Sequence, residues 1–133
     1  MKFSINKQDR YSIIRLEDEN LNTVVAPDLK SEFFLLSSRE TENLIVDLSL
    51  VKYIDSSGLS AILTAHRIWK EMGGNFVVTG VKSPVVEKLF EISRIGQVVT
   101  ILPTVQNSIE FIFLGELERE LNADPAEGTE LEE

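Results

Sequence analysis

Short apolar runs alternate with segments of helical periodicity along most of this chain, and this alternation constrains the fold more than any other feature. The runs at residues 44–48, 76–81 and 98–102 have the length and composition of buried strands. A helical segment follows each of them. Parallel strands need a crossover connection, which a helix usually supplies. The alternation therefore predicts βαβ units and a mainly parallel sheet.

Capping residues mark where the predicted helices begin and end, because serine and proline favour helix starts and glycine favours helix ends. Residues 3–5 and 11–16 add two short strands, and residues 17–23 form a polar loop. The predicted helices are 27–38, opened by Pro27; 56–72, stopped by Gly73 and Gly74; 83–92, opened by Ser83 and Pro84; and 104–121. The predicted fold is α/β, a mixed and mainly parallel sheet of about five strands with about four helices packed on it.

The length and the charge distribution predict one domain followed by a tail. The 133 residues fit a single domain, which we place at residues 1–121. Residues 118–133 carry seven acidic residues and one basic residue, so their net charge is −6 of the −9 for the whole chain. We therefore expect residues 122–133 to form a flexible acidic tail.

Several classes of function are excluded by composition. The chain has no cysteine and a single histidine, His66, so neither a thiolate zinc site nor a multi-histidine metal site is expected. The acidic balance argues against nucleic-acid binding, which needs a basic surface. No apolar run reaches the roughly 18 residues of a membrane span, and the first ten residues lack an apolar leader. We expect a cytoplasmic protein without membrane insertion.

The segment Asp55-Ser56-Ser57-Gly58-Leu59-Ser60 follows a predicted strand and opens a helix, and ligands gather at such corners in parallel sheets. At 100° per residue, one stripe of that helix is predicted to face the core. Leu59 and Leu63 lie outside the stripe, on the same side as Ser56, Ser60 and Arg67. The predicted core stripe consists of Gly58, Ala61, Ile62, Ala65, Ile68, Trp69 and Met72.

Two interpretations of Ser56 follow. Either its hydroxyl caps the helix and the leucines are scattered surface residues, or the hydroxyl is modifiable and stands beside a docking surface. Burying each leucine against a partner would contribute about 1.5–3 kcal/mol. A phosphate would bring nearly two negative charges to that surface, and desolvating them without a cation would cost more than the leucines contribute.

Two stretches of the chain resemble the recurrent motifs of STAS domains. They are residues 44–63 (LIVDLSLVKYIDSSGLSAIL) and residues 80–93, in which Gly80-Val81-Lys82-Ser83-Pro84-Val85-Val86 precedes Leu89-Phe90-Glu91-Ile92-Ser93. This family includes the anti-sigma-factor antagonists and the C-terminal domains of sulfate transporters. The resemblance implies a mixed sheet with helices packed on it and no intrinsic catalysis, so no catalytic residue, cofactor or metal is expected.

The same resemblance implies a switch mechanism. In the bacterial antagonists, the serine directly after the aspartate is phosphorylated by a serine kinase that is also the anti-sigma factor, and a separate phosphatase removes the phosphate. That serine matches Ser56. The unphosphorylated form binds the anti-sigma factor and releases the sigma factor. The predicted partner surface comprises Asn22, which stands where the family usually has an aspartate, together with Asp55, Ser57, Gly58, Leu59, Ser60, Leu63 and Arg67.

Alternative interpretations remain open. The chain could be a STAS subunit of a larger assembly, such as a stressosome-like scaffold or a lipid-transport accessory, without phospho-switching. Asp47 and Asp55 form a conceivable carboxylate pair, although an aspartate that ends a strand usually caps a turn. His66 is expected at the boundary of the core. In the last helix, Phe111, Leu114 and Leu121 add to the apolar side of Ile109, Ile112 and Phe113. We favour deep packing of this helix, and a weak homodimer through it is the alternative.

Overall fold

The computed structural model describes residues 1–39 and 41–123. The strands in these residues are β1 (Phe3–Lys7), β2 (Ser12–Leu16), β3 (Asn20–Leu21), β4 (Asn43–Asp47), β5 (Tyr53–Ile54), β6 (Asn75–Thr79) and β7 (Thr100–Leu102). Five of them form the central sheet, of order β1-β2-β4-β6-β7, in which β1 pairs antiparallel with β2 and all other neighbours are parallel. The remaining strands, β3 and β5, pair in parallel as a separate two-stranded sheet.

Four helices cover the sheet unequally. They are α1 (Ala26–Ser38), α2 (Ser56–Glu71), α3 (Pro84–Ser93) and α4 (Val105–Ala123), with a short 3-10 turn at Ile95–Gln97. The α1 and α2 helices pack on each other and on one face of the sheet, and α3 packs beside β5. The α4 helix lies on the opposite face, against β4, β6 and β7. The predicted fold class, a mixed and mainly parallel sheet with four helices, is confirmed.

Strand β4 shows why the sheet carries a core on both faces. Leu44, Ile45 and Val46 are all fully buried. Leu44 and Val46 belong to the large core beneath α1 and α2, whereas Ile45 joins Ile112 of α4 in a smaller core. Successive side chains of a strand point to opposite faces, so a continuous apolar run is the pattern of a strand that is covered on both sides.

The predicted capping signals set the helix bounds. Pro27 lies in the first turn of α1, and the Ser83 hydroxyl accepts a hydrogen bond from the Val86 amide at 3.3 Å at the start of α3. Gly73 has a φ of +80° directly after α2, a conformation in which glycine carries no steric cost. The α2 helix ends at Glu71, one residue before the predicted end.

A buried polar cluster attaches α4 to the sheet. The Asn43 amide nitrogen donates to Glu116 Oε2 at 2.8 Å and to the Arg10 carbonyl at 2.7 Å. The Arg10 guanidinium donates to Glu116 Oε1 at 2.6 Å, and this contact raises the pKa of Arg10. The side-chain oxygen of Asn43 accepts from the backbone amide of Asn75 at 2.9 Å. Because Glu116 and Asn43 are buried, these hydrogen bonds fix the position of α4 along the sheet.

Three sequence-based expectations need correction. The two-residue strands β3 and β5 were not predicted, because so short a segment has no periodicity to detect. Met72 is 45% exposed and so lies outside the core stripe, since α2 has already ended. Deep packing of α4 is wrong for its outer face: Phe111, Leu114 and Leu121 are exposed because, in the described part of the chain, no other helix covers this side of the sheet.

The described residues contain no helix that is both long and apolar enough to cross a membrane. Asn122 and Ala123 of the predicted tail form the last positions of α4. Residues 124–133 of that tail lie outside the described residues.

The two faces of α4 give a testable contrast in stability. Ile112 is fully buried in the smaller core, so Ile112→Ala should lower the free energy of unfolding by about 2–5 kcal/mol. Leu114 is 64% exposed, and Leu114→Ala should change it by less than about 0.5 kcal/mol. Urea unfolding at 25 °C measures both values. Equal losses in the two variants would contradict the placement of α4.

Candidate functional site

The start of α2 is fixed by the aspartate that precedes it. Asp55 is the N-cap residue, and its Oδ1 accepts hydrogen bonds from the amides of Ser57 at 2.8 Å and Gly58 at 3.1 Å. The interpretation in which Ser56 caps the helix is therefore wrong. Ser56 is exposed, and its hydroxyl has no hydrogen-bond partner among the described residues. The structure leaves this hydroxyl free for other chemistry.

Gly58 lets α2 approach the two-stranded sheet closely. A Cβ atom at this position would lie 2.5 Å from the Leu21 carbonyl oxygen and 2.6 Å from Ile54 Cγ1. Leu21 and Ile54 belong to β3 and β5, so the glycine joins the helix start to both strands. Gly58 was predicted to belong to the partner surface; the structure shows that it is buried, and its role as a partner contact stays a prediction. Its function is close packing.

A polar cavity of about 360 Å³ lies on one side of Ser56. Its wall includes Thr23 from the loop before α1, Lys30 from α1, and Ser56, Ser57 and Ser60 from α2. The Thr23 and Ser57 hydroxyl oxygens are 3.1 Å apart, and the Thr23 hydroxyl donates to Asp55 Oδ2 at 3.4 Å. Hydroxyl groups and one ammonium group thus surround this side of Ser56.

An apolar groove of about 770 Å³ lies on the other side of Ser56, between the first turn of α2 and the outer face of α3. Leu59 lines it from α2. Val85, Leu89 and Ile92 line it from α3, where Val85 is 53% and Ile92 67% exposed. Exposed apolar side chains gathered around a groove are typical of a protein-interaction surface. Ser56 lies at the edge that the groove and the polar cavity share.

The predicted surface residues divide between these two cavities. Asp55, Ser56 and Leu59 line the groove, whereas Ser57 and Ser60 line the polar cavity beside Ser56. Leu63 and Arg67 line neither of them; Arg67 is exposed. Leu59 and Leu63 are half-buried and pack against the main core, so the expectation that the core leaves them free holds only for part of each side chain.

Asn22 has a local structural role. Its side-chain oxygen accepts hydrogen bonds from the amides of Val24 at 3.0 Å and Val25 at 3.4 Å, and its carbonyl accepts from Ala26 at 2.9 Å. These contacts shape the turn that leads into α1. Asn22 is half-buried, and its role as a partner contact stays a prediction.

Sequence reasoning missed the α3 side of the groove and the lysine of the polar cavity. A signal for the groove is present, because Val85, Leu89 and Ile92 recur at spacings of four and three along a helix whose buried residues are Val86 and Phe90; of the three, Leu89 also packs against the core. Apolar residues beyond one core stripe indicate a second contact face. Lys30 gives no such signal, since its position beside Ser56 depends on how α1 packs against α2.

The remaining candidates have ordinary structural roles. Asp47 Oδ1 accepts from the Ser49 amide at 2.9 Å, so it caps a turn as expected. His66 is half-buried against Phe76, with ring centroids 6.5 Å apart, which confirms a boundary histidine. Desolvation lowers the pKa of His66, and the charges of Lys70 and Arg67 lower it further.

A third depression, of about 560 Å³, lies at the opposite end of the sheet from Ser56. Both of its arginines are engaged with other groups of the protein: Arg10 is paired with Glu116, and the Arg119 guanidinium donates to the Gly73 carbonyl. These contacts stabilise the position of α4 and leave the depression without an unpaired guanidinium for a ligand.

Comparison with known proteins identifies the family. The STAS domain model matches residues 2–108. The chain belongs to the STAS domain family. The start of α2 that Asp55 caps and the exposed Ser56 therefore belong to a STAS domain, as the sequence motifs predicted.

Three relatives show what this STAS domain is similar to. An anti-sigma F factor antagonist from Paenibacillus polymyxa is 27% identical over 74 residues, which span 56% of this chain and 62% of that protein. An anti-sigma factor antagonist from Mycobacterium paratuberculosis superposes with a TM-score of 0.75 at 18% identity, over 84% of this chain and 92% of that one. The phosphorylated form of SpoIIAA, a Bacillus cell fate determinant, gives a TM-score of 0.63 at 19% identity, over 84% and 99%. At such identities the structural likeness establishes the fold.

Close packing at Gly58 predicts opposite effects of the same substitution at two helical glycines. Gly58→Ala should destabilise the domain by about 1–3 kcal/mol, because the new methyl group meets the Leu21 backbone. Gly115 of α4 has only the Asn75 side chain nearby, at 3.6 Å, so Gly115→Ala should stabilise by about 0.5–1 kcal/mol through helix propensity. Thermal and urea unfolding measure the signs, and stabilisation by Gly58→Ala would contradict the close approach.

Proposed function

We propose that this chain is a phosphorylation-controlled interaction switch of the anti-sigma-factor antagonist type, with Ser56 as the phosphoacceptor. The proposal depends on one observation: the exposed hydroxyl of Ser56, free of internal hydrogen bonds, lies at the edge of an apolar groove. The likeness to anti-sigma factor antagonists, including one in a phosphorylated form, supports this interpretation.

The unphosphorylated state is the binding state. A partner that covers the groove removes Leu59, Val85 and Ile92 from water, and each apolar side chain fully buried in this way contributes about 1.5–3 kcal/mol. The neutral Ser56 hydroxyl can donate or accept one hydrogen bond at the edge of the contact. The proposed partner is a serine kinase that also acts as the anti-sigma factor, and its capture releases a sigma factor.

Phosphorylation of Ser56 weakens the binding of this partner. The modified serine carries a charge of about −1.5 to −2 at neutral pH, directly beside the Asp55 carboxylate. A partner that buries the groove would have to desolvate this charge, which is costly unless a cation and hydrogen bonds compensate. The phosphorylated chain therefore releases the kinase, and a phosphoserine phosphatase restores the binding form. The chain itself supplies a surface and no catalysis.

Phosphorylation at one serine is the first test. Incubation with the serine-kinase anti-sigma factor of the same organism and ATP should add a single phosphate, a mass increase of about 80 Da, to the native chain. Ser38→Ala is the matched control, because Ser38 is an exposed serine at the far end of α1, lines neither the groove nor the polar cavity, and should leave the increase unchanged. Ser56→Ala should abolish it. Intact-mass spectrometry separates these outcomes, and an unchanged adduct in Ser56→Ala would exclude Ser56 as the acceptor.

The groove can be tested with two variants of equal exposure. Ile92 in the groove is 67% exposed and Leu114 on α4 is 64% exposed, so an aspartate at either place has a similar effect on folding. Ile92→Asp should weaken binding to the kinase at least about tenfold, or roughly 1.4 kcal/mol, because it places a charge in the contact. Leu114→Asp should leave the affinity unchanged. Isothermal titration calorimetry provides both values, and the reverse ranking would move the contact to α4.

A second candidate function follows from the exposed apolar face of α4. Leu114, Leu117 and Leu121 are 64%, 52% and 73% exposed, which is more apolar surface than an isolated domain needs on one helix. A STAS subunit of a larger assembly would cover this face without phospho-switching. Native mass spectrometry distinguishes the two, since a stable assembly that Leu114→Asp disrupts and phosphorylation does not would favour the assembly subunit.

A further inference from the structure

We propose that the phosphate carried by Ser56 turns away from the apolar groove into the polar cavity, where the ammonium group of Lys30 pairs with it. This inference rests on the proposed function, because it concerns the modified form of the same serine. It assigns to α1 a part in the switch that the sequence motifs around Ser56 do not reveal.

The polar cavity has the chemistry that a phosphate needs. Its wall consists of Thr23, Lys30, Ser56, Ser57 and Ser60 with the small apolar residues Ala26 and Pro27, and it includes no carboxylate. Lys30 is thus the single charged residue among the described residues that line it. Hydroxyl groups donate hydrogen bonds to phosphate oxygens, and an ammonium group forms the stronger, charge-assisted bond. At about 360 Å³, the cavity accommodates a phosphoryl group together with water, which occupies about 30 Å³ per molecule.

Lys30 is available for this role. It is half-buried on α1, and within the described part of the chain it takes part in no ion pair. Asp28 and Glu32 each lie two residues from Lys30 along α1, a spacing that does not bring helix side chains together, and Asp28 has the N-terminal amine 3.5 Å from its carboxylate. Lys30 is the one charged side chain in the wall of this cavity, and the nearby Asp55 carboxylate is engaged with the Thr23 hydroxyl and with the amides of Ser57 and Gly58.

The groove on the other side of Ser56 is less suitable. Its walls are mainly apolar, and its charged residues are Asp55 and Lys88. The Asp55 carboxylate repels a phosphate, and Lys88 already lies 3.6 Å from the carboxylate of Glu91. A phosphate in the groove would therefore exchange water for Leu59, Val85 and Ile92 without an unpaired cation. Asp55 lies close to both sides of Ser56, so the attraction of the unpaired Lys30 is what directs the phosphate to the polar cavity.

In the phosphorylated chain, the Ser56 phosphate is thus paired with Lys30 of the same chain. The phosphate finds its cation within its own domain, so it does not need a basic group from the kinase. An enzyme that removes the phosphate has to displace Lys30 first. The phosphorylated and unphosphorylated forms then differ in their internal contacts as well as in their charge.

A titration of the phosphate itself tests this inference. The probe is the full chain with phosphoserine incorporated at position 56 during translation, so no kinase is needed. Phosphorus NMR should give a second phosphate pKa below the ordinary value of about 6, because the Lys30 ammonium stabilises the dianion. In Lys30→Met, which keeps the aliphatic stem and removes the charge, this pKa should rise to about 6. Lys30→Arg should keep it low.

Lys88→Met is the matched control, because Lys88 lines the groove on the other side of Ser56. It should leave the phosphate pKa unchanged. A shift in Lys88→Met and none in Lys30→Met would place the phosphate in the groove, and no shift in either variant would leave it in solvent. Each of these two results overturns the pairing. Neither bears on the proposed function, which depends on the kinase modifying Ser56 and binding the unmodified groove.

Discussion

The geometry of the site depends on the Asp55 carboxylate, which accepts the first free amides of α2. The amides of Ser57 and Gly58 would otherwise point without partners from the helix start, and a side-chain cap of this kind contributes about 1 kcal/mol to stability. Because Asp55 supplies the cap, the adjacent serine has no structural duty. Asp55 thus caps the helix, while the hydroxyl of the neighbouring Ser56 stays exposed at a defined position in the first turn of α2.

The two-stranded sheet of β3 and β5 places this helix start beside the rest of the site. Gly58 contacts both strands, and α3 packs on β5. The outer face of α3 therefore stands opposite the first turn of α2, and the groove forms between them. On the other side, the loop after β3 brings Thr23 close to Ser57 and leads into α1, which carries Lys30. The four residues of β3 and β5 thus help to position α1, α2 and α3 around Ser56.

The sequence predicted the main sheet well because its signals are local. Continuous apolar runs such as residues 44–48, and caps such as Ser83, determine elements with little help from distant contacts. The position of Ser56 at a strand-to-helix corner followed from the same signals. The identity of the cap did not, because aspartate and serine have nearly equal N-cap preference and only the structure decides between adjacent residues.

Features that depend on packing between distant segments were beyond prediction. The half-burial of Leu59 and Leu63 depends on how α2 packs against the core, and the exposure of Leu114 follows from the absence of a second helix beside α4 in the described chain. A helical wheel shows in which direction around the helix axis each side chain points. It does not show which other elements lie in that direction. For a helix that is apolar on several sides, the wheel therefore distinguishes the core face from the surface face poorly.

The place of Ser56 in the first turn of a 16-residue helix has a consequence for any enzyme that modifies it. Most of what surrounds the hydroxyl comes from α1 and α3, so a short peptide with the same local sequence lacks these walls and does not present the same shape. Under the proposed function, the modifying enzyme would have to recognise a folded surface that includes the groove and the polar cavity beside Ser56. Unfolded chains would then be poor substrates, so that modification would depend on correct folding.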